Sequence, residues 1–408
     1  MDNFILEPER KVSVKASCDV LVAGGGFAGI AAAIAAARGG KRVVLLEREY
    51  TLGGMATLGL VTIYLPLCDG EGNQVVYGIA EELLKLSIKH GAEANYPTAW
   101  LDGGSFEDRV KNRYITQFNP HLFSLSTEAL LKELGVTILY GTLACAVRKD
   151  GDMISHVIVE NKSGRSAYAV ESVIDCTGDA DVCYLSGAET ALHAKGNALA
   201  SWYYYYCKGK VSLKMFGLAD VPPDVERKKQ GNGTYAAAMT ESIDKNIRFS
   251  GVDGPELSEA TIVAHEKMYE DILKFKAEDD SYVPVTISTI PLVRMSRRLC
   301  GEYTLDESEN RKFMPDSIGM TGDWRKRGPV FEIPFRTLYG KKVKNLLAAG
   351  RDISVTDSMW DITRVIPPCA LTGEAAGTAA SLGNDFAKLD VSELQKHLVK
   401  NGVKLHIK

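Results

Sequence analysis

What this chain lacks narrows its function first. It has no CxxC pair: its eight cysteines, Cys18, Cys68, Cys145, Cys176, Cys183, Cys207, Cys300 and Cys369, are scattered. That excludes the ligand spacing of a structural zinc site, so no metal is expected, and most thiols should be small core residues in a reducing compartment. No uninterrupted apolar run approaches membrane length, and the opening "MDNFILEPERKVSVKAS" mixes charges through its apolar residues instead of building a signal peptide. The expected address is the cytoplasm, with no membrane partner. Neither sign of charge dominates, since 48 basic against 52 acidic residues leave a net charge of -4. Such a balance gives no bulk attraction to nucleic acid, and none is expected as a partner. The one basic cluster, "ERKKQG", reads as a solvated loop. Internal repeats and low-complexity tracts are also missing.

What is present is an ordinary globular composition, 45% apolar and 25% charged over 408 residues, long enough for two or three domains. One stretch carries the first functional signal: "CDVLVAGGGFAGIAAAIAAARGGKRVVLLERE". An apolar run over Val20 to Ala23 stops at three glycines, an alanine-rich helix follows over Ile30 to Arg38, and "RVVLLE" reads as a second buried strand. This predicts a βαβ unit with a parallel sheet. Gly24, Gly26 and Gly29 make GxGxxG, in which the first glycine turns the chain, the second lets backbone approach a pyrophosphate and the third admits close helix packing. The helix start, at Phe27 and Ala28, would offer its N–H groups and partial positive charge to the phosphates. Glu47, with Arg48 after it, ends the second strand where it can accept from both ribose hydroxyls and repel a ribose 2′-phosphate. These residues predict a dinucleotide other than NADP and leave NAD and FAD open.

Farther along, "VTILYG" is the expected third strand, after a helix announced by Pro120. The long stretch between the second and third strands includes the helix "IAEELLKLSIKHG". A hairpin is expected around Lys162 to Gly164, with a strand returning to the sheet at Val173 to Cys176. From about Thr190 to Phe331 the pattern turns to aromatic strands, a charged helix and polar loops, without a second glycine-rich loop. The chain should then rejoin the first domain through "KNLLAAGRDIS" and the helix "LTGEAAGTAASLG".

Three further stretches join the glycine loop in resembling the FAD-dependent oxidoreductase family of the glutathione-reductase-like flavoprotein superfamily. "LGGMATLG" resembles the double glycine beside the FAD pyrophosphate and implies Gly53, Gly54, Met55 and Thr57 as cofactor residues. "VIDCTGDADV" resembles the strand and turn that return beside the cofactor, implying Thr177, Gly178 and Asp179. "NLLAAGRDIS" and "RVIPPCALTGEAAGTAA" resemble the C-terminal flavin motif, implying Gly350, Arg351, Asp352, Thr372 and Gly373. A helix beginning near Thr372 would then aim its dipole at the N1 and C2 carbonyl edge of the flavin; a buried packing helix is the plainer alternative.

The resemblance implies an α/β fold: a Rossmann-like FAD-binding domain of glutathione-reductase type over residues 1–189 and 332–408, with an inserted α+β substrate domain over 190–331. FAD would carry the electrons as a hydride through N5, leaving the protein to bind a small polar, anionic substrate and to move a proton. The electron donor or acceptor is unnamed, and self-association into a homo-oligomer is left open. Two other classes share the same nucleotide domain, namely an RNA-modifying or thiazole-forming relative and an electron-transfer subunit of a larger complex.

Candidates for the substrate cation come from "TIPLVRMSRRLCGEYTL". On a strand, Arg294 and Arg298 would share one face and Arg297 the other, and a guanidinium can clamp a carboxylate bidentately. Arg364, just before the last helix, is the other candidate. Asp357 stands where relatives carry a histidine, which suggests a hydrogen-bonding role as readily as proton transfer. In "SWYYYYCKG" alternate tyrosines should face opposite ways, with an aromatic structural strand favoured over a cavity lining. His193 is a lone histidine upstream of it.

Overall fold

The computed structural model describes residue 5 and residues 7–217 and 248–407; "ERKKQG" lies outside them. The expected βαβ unit forms from strand Ser13–Ala23, helix Phe27–Arg38 and strand Val43–Leu46. Alternation along each strand sorts its side chains between two cores. Val20, Val22, Val43 and Leu45 bury against the alanine-rich helix, whereas Leu21, Ala23, Val44 and Leu46 bury on the other face of the sheet.

Thr137–Leu139 pairs in parallel with Val43–Leu46, and Gly164–Asp175 pairs in parallel with Ser13–Ala23. The last residues of Gly164–Asp175, from Val173 on, also pair in parallel with Leu346–Ala348, so the strand expected to return to the sheet does so between two parallel neighbours. Its first half instead turns back through Lys162 and Ser163 onto Met153–Asn161, as the hairpin reading required. This is an α/β fold with a parallel-strand sheet, consistent with a Rossmann-like dinucleotide-binding domain.

Three features depart from expectation. The first strand starts at Ser13, because its polar half finds partners in Ser166 to Val170 that apolar patterning could not announce. Leu143–Asp150 is an unforeseen strand, antiparallel to Met153–Asn161, with Ala144 alone buried, so it lacks a buried stripe. The second alanine-rich helix spans Ile366–Leu382, six residues earlier than expected at its start. Pro367 and Pro368 fall in its first turn, where a missing N–H costs little, so they open the helix. Ile318, Met320, Val330 and Phe331 join the same core as the nucleotide-loop helix through the hairpin of Ser317–Gly322 with Val330–Pro334.

The two alanine-rich helices touch through their backbones. A Cβ at Gly373 would stand 2.1 Å from the Ala28 carbonyl oxygen, and one at Gly377 2.2 Å from that of Ala32. The i, i+4 spacing on both helices turns this into one continuous seam.

Beyond Thr190, strand Ala200–Cys207 lies between Lys210–Gly217 and Val283–Ile287, all antiparallel. Helix Gly254–Glu278 packs against this sheet through Ala260, Ala264 and Met268. The tyrosines do alternate. Tyr203 and Tyr205 meet Tyr282, while the Tyr204 hydroxyl bonds Glu93 at 2.6 Å and Thr62 at 2.8 Å. Among the described residues, none of the four lines the cleft described next.

Candidate active site

A cleft lies where the parallel strands end. It encloses about 1390 Å³ counting its open mouth. Each of its walls follows the carboxyl end of one strand: Thr142 and Leu143, Glu47 to Glu49, Gly24 to Ala28, Cys176 to Asp179, and Ala349 to Arg351. In sheet order these segments span four strand spacings, roughly 19 Å, which suits an elongated ligand. Residues Ile290, Pro291, Val293 and Arg294 line it from the other half of the chain, with Arg364, Ile366 and Cys369.

The glycine loop is built as its spacing implied. Gly24 has a φ of +104°, and a Cβ there would meet the Cys176 carbonyl oxygen at 2.4 Å. A Cβ at Gly29 would stand 1.8 Å from the Gly24 carbonyl oxygen, so this glycine lets the helix seat against the strand end. Gly26 differs, because nothing lies within 4 Å of the position its Cβ would take. It caps the helix with no side-chain acceptor, leaving the first-turn N–H groups open to an anion. Phe27 contributes its place at the helix start, while its ring stacks on Phe123 at 4.5 Å in the core.

Glu47 is buried, and both its oxygens accept from backbone: Oε2 from Gly25 N and Oε1 from Glu49 N, each at 2.8 Å. Burial pushes its carboxyl up, against those two bonds. Glu47 therefore ties the glycine loop to the second strand in addition to facing the cleft. Gly53 and Gly54 bring a second turn against the loop, with Gly53 N donating to Gly25 O at 2.8 Å and a Cβ at Gly54 reaching Gly26 Cα at 3.3 Å. Met55 and Arg48 also line the cleft.

Thr57 does not. Its hydroxyl donates to Leu52 O at 2.7 Å and its methyl sits where a Gly53 Cβ would go, so it locks the turn from behind. Thr372 and Gly373 also lie behind the wall: Thr372 is fully buried and accepts from Gly350 N at 2.9 Å, and Gly373 serves the helix seam. Because the helix begins at Ile366, its open end lies there, and Pro367 and Pro368 leave Ile366 the sole N–H donor of the first three positions.

Asp352 is another residue behind the wall. It is fully buried, its Oδ2 accepting from Gly178 N at 3.3 Å, and burial followed by the nearby Asp175 pushes its carboxyl well up. Asp179, in the wall, accepts from Ser296 Oγ at 2.5 Å and from Arg351 Nη2 at 2.7 Å. Arg351 also donates to Gly178 O at 2.6 Å and Val293 O at 2.5 Å, fastening three distant segments together. Thr177 bonds Asp175 through its hydroxyl at 2.7 Å. Asp181, which sequence reading passed over, lines the cleft with a carboxyl raised to about 6, first by burial and then by Asp179.

The arginines separate. The regular strand is only Arg297–Leu299, so Arg294 and Arg298 do not share a strand face. Asn197 explains this: its side chain accepts from Arg294 N and Met295 N, both at 2.9 Å, and donates to Met295 O at 2.5 Å, holding the chain in a loop. Nothing in the sequence marks Asn197, since its partners lie almost a hundred residues away. Arg294 reaches the cleft wall. Arg297 bonds Asp181 at 2.6 Å and lies over Tyr184, while Arg298 lies over Trp360 and bonds Asp357 at 3.3 Å. Asp357 also lies 3.3 Å from His193 Nδ1, so this buried histidine has a carboxylate neighbour. Neither Arg298 nor Asp357 lines the cleft. Arg364 does, and Asp361 binds it through Nε at 3.0 Å and through Nη2.

Known proteins give this architecture its family. The family model described as FAD dependent oxidoreductase matches residues 19–269 and 224–398, and the chain belongs to that family. It is accordingly an FAD-dependent enzyme. Among solved structures the chain is similar to a geranylgeranyl bacteriochlorophyll reductase-like protein from Thermoplasma acidophilum, at 13% identity over 95% of this chain and 84% of that one, TM-score 0.44. It is similar to p-nitrophenol 4-monooxygenase from Pseudomonas putida at 12% identity over 96% and 82%, TM-score 0.41. THI4 of Thermovibrio ammonificans is similar at 18% identity over 44% and 66%, TM-score 0.32. No curated protein matches. Among the described residues no helix is long and apolar enough to cross a membrane, and no group of three or more His, Cys, Asp or Glu could hold a metal ion.

Proposed function

We propose that FAD lies through this cleft in the manner of a glutathione-reductase-type fold. Residues 1–189 and 332–408 would form its binding domain, and residues 190–331 the inserted substrate side. The cradle fits the cofactor: Gly26 leaves open space at an uncapped helix start, and Gly54 closes on it from the opposite turn. Gly24 to Gly29, Glu47, Arg48 and Gly53 to Met55 would hold the ADP half. Thr177 to Asp179, Gly350, Arg351, Ile366 and Cys369 would hold the flavin half. When bound, FAD supplies hydride exchange at its N5.

The reaction is the oxidation or reduction of a small polar, anionic organic compound. One observation carries this: Arg294 and Arg364, from segments 70 positions apart, line one cleft with Ile290, Pro291 and Val293. Two guanidinium groups beside an apolar wall bind and orient a carboxylate while keeping water from the reacting carbon. The test is an anaerobic screen of carboxylic acids, sugars and amines for bleaching of the bound flavin, repeated with Arg294→Ala. Bleaching by a carboxylate in the parent and at least tenfold weaker dependence on its concentration in the variant is the expected result. Bleaching by neutral compounds alone, equal in both proteins, would sink the reading.

A further inference from the structure

The Arg364 guanidinium is not held by the cleft but by a buried ionic relay behind it. Asp361, with a side chain 9% exposed, takes the Nε and Nη2 side of Arg364 onto its Oδ1. Its Oδ2 stands 3.6 Å from Arg325 Nη1. Arg325, with a side chain 2% exposed, is fixed in turn by two bonds of 2.9 Å to Asp323 and one of 2.8 Å to Glu307. The backbone around the relay is also pinned. Trp324 Nε1 donates to the Asp361 carbonyl oxygen at 2.8 Å, and Arg113 donates to Trp324 O at 2.7 Å and Asp323 O at 3.0 Å.

A guanidinium carries five N–H donors in a flat fork with two usable edges. Asp361 occupies the edge made by Nε and one Nη2 hydrogen. The other edge, made by Nη1 and the outer Nη2 hydrogen, presents two parallel donors, the geometry that a carboxylate accepts bidentately. Arg364 ends the short helix Asp357–Thr363, and Val365 caps the long one, so the backbone cannot turn the fork around.

We infer that Asp361 is a positioning residue that sets Arg364 as a one-edged carboxylate clamp, with Arg325 holding Asp361 in turn. This rests on the reading of Arg364 as a substrate-binding cation. It adds that the edge presented to substrate is chosen by a carboxylate that never touches substrate. It also explains why a second buried arginine, one that does not itself line the cleft, is surrounded by three acids.

The test uses the FAD-loaded protein with benzoate as the probe, its dissociation constant read from the flavin absorbance. Arg364→Ala and Asp361→Asn should each weaken benzoate binding by about 10-fold or more, with FAD content unchanged. In the Arg364→Ala background, Asp361→Asn should add less than about 2-fold, because the two act through one contact. Asp361→Glu, which keeps the charge, should recover most of the loss. A purely structural role for Asp361 would give neither the non-additivity nor the rescue. If Asp361→Asn does not hold FAD, Arg364→Lys decides in its place, since a single ammonium drawn to Asp361 offers no second edge and should bind benzoate as weakly as Arg364→Ala. Benzoate affinity unchanged by Arg364→Ala would overturn the carboxylate reading itself. Loss in Arg364→Ala with full affinity in Asp361→Asn, or in Arg364→Lys where that variant stands in, would overturn the positioning role alone.

Discussion

Gly24 lies directly beneath the carbonyl of Cys176, so the nucleotide loop and the returning strand end share one point of backbone contact. The glycine there has a positive φ and no room for a methyl group. Gly26, two residues on, has ordinary φ and open space. The pair separates folding from cofactor binding.

Gly24→Ala should destabilise the protein by roughly 2–4 kcal/mol, from the strained backbone and the clash with Cys176 O. Gly26→Ala should cost under about 1 kcal/mol yet weaken FAD at least tenfold, because its methyl projects into the cradle. Denaturant melts and FAD titrations of the two variants check this; equal FAD affinity in Gly26→Ala and the parent would contradict it.

Glu374 is fully buried on helix Ile366–Leu382, accepting from Ile79 N at 2.7 Å, and burial raises its carboxyl to about 8 from an ordinary 4.5. The folded state thus holds this proton more tightly than the unfolded chain does. Its contribution to stability is full below about pH 4.5 and is lost as pH rises through about 8. Glu374→Gln keeps an acceptor for Ile79 without an ionisable group. It should flatten the stability profile between those limits and gain on the order of a few kcal/mol over the parent at pH 9, measured by urea unfolding at pH 5, 7 and 9.

Arg294→Ala and Arg298→Ala should behave differently despite their nearness in sequence. The first should raise the KM for the carboxylate substrate about tenfold or more. The second removes a cation lying 5.1 Å over Trp360 and should cost roughly 1–3 kcal/mol of stability with KM intact. Thermal melts beside steady-state kinetics distinguish them.

Tyr204→Phe should cost roughly 1–3 kcal/mol, because it strips a hydroxyl shared by Glu93, Thr62 and Gln117. Substrate and FAD affinity should be unchanged. A change in KM without a change in melting temperature would return this strand to the active site.

The sequence was most legible where the signal is local. Gly24, Gly26 and Gly29, the alternating Val20 to Ala23, Pro120 at a helix start and the two-residue turn at Lys162 and Ser163 each impose their geometry on neighbours a few positions away. Legibility fell where a residue's partner is remote. Thr57 and Thr372 sit within the expected motifs, yet their hydroxyls bond backbone behind the wall instead of facing the cleft. Pro367 and Pro368 precede the expected start of their helix, although a first turn tolerates both.

By itself, then, the sequence determined the parallel βαβ unit, the uncapped helix start and the answering glutamate, because backbone sterics and hydrophobic periodicity act over a few residues. Tertiary structure alone decided which arginines reach the cleft. Arg294 sits on a cleft-lining loop held by Asn197, Arg297 and Arg298 are absorbed by Asp181 and Asp357, and Arg364 is set by Asp361 and Arg325. A long flexible cation goes where its desolvation is best compensated, and that compensation comes from groups the fold gathers from far along the chain.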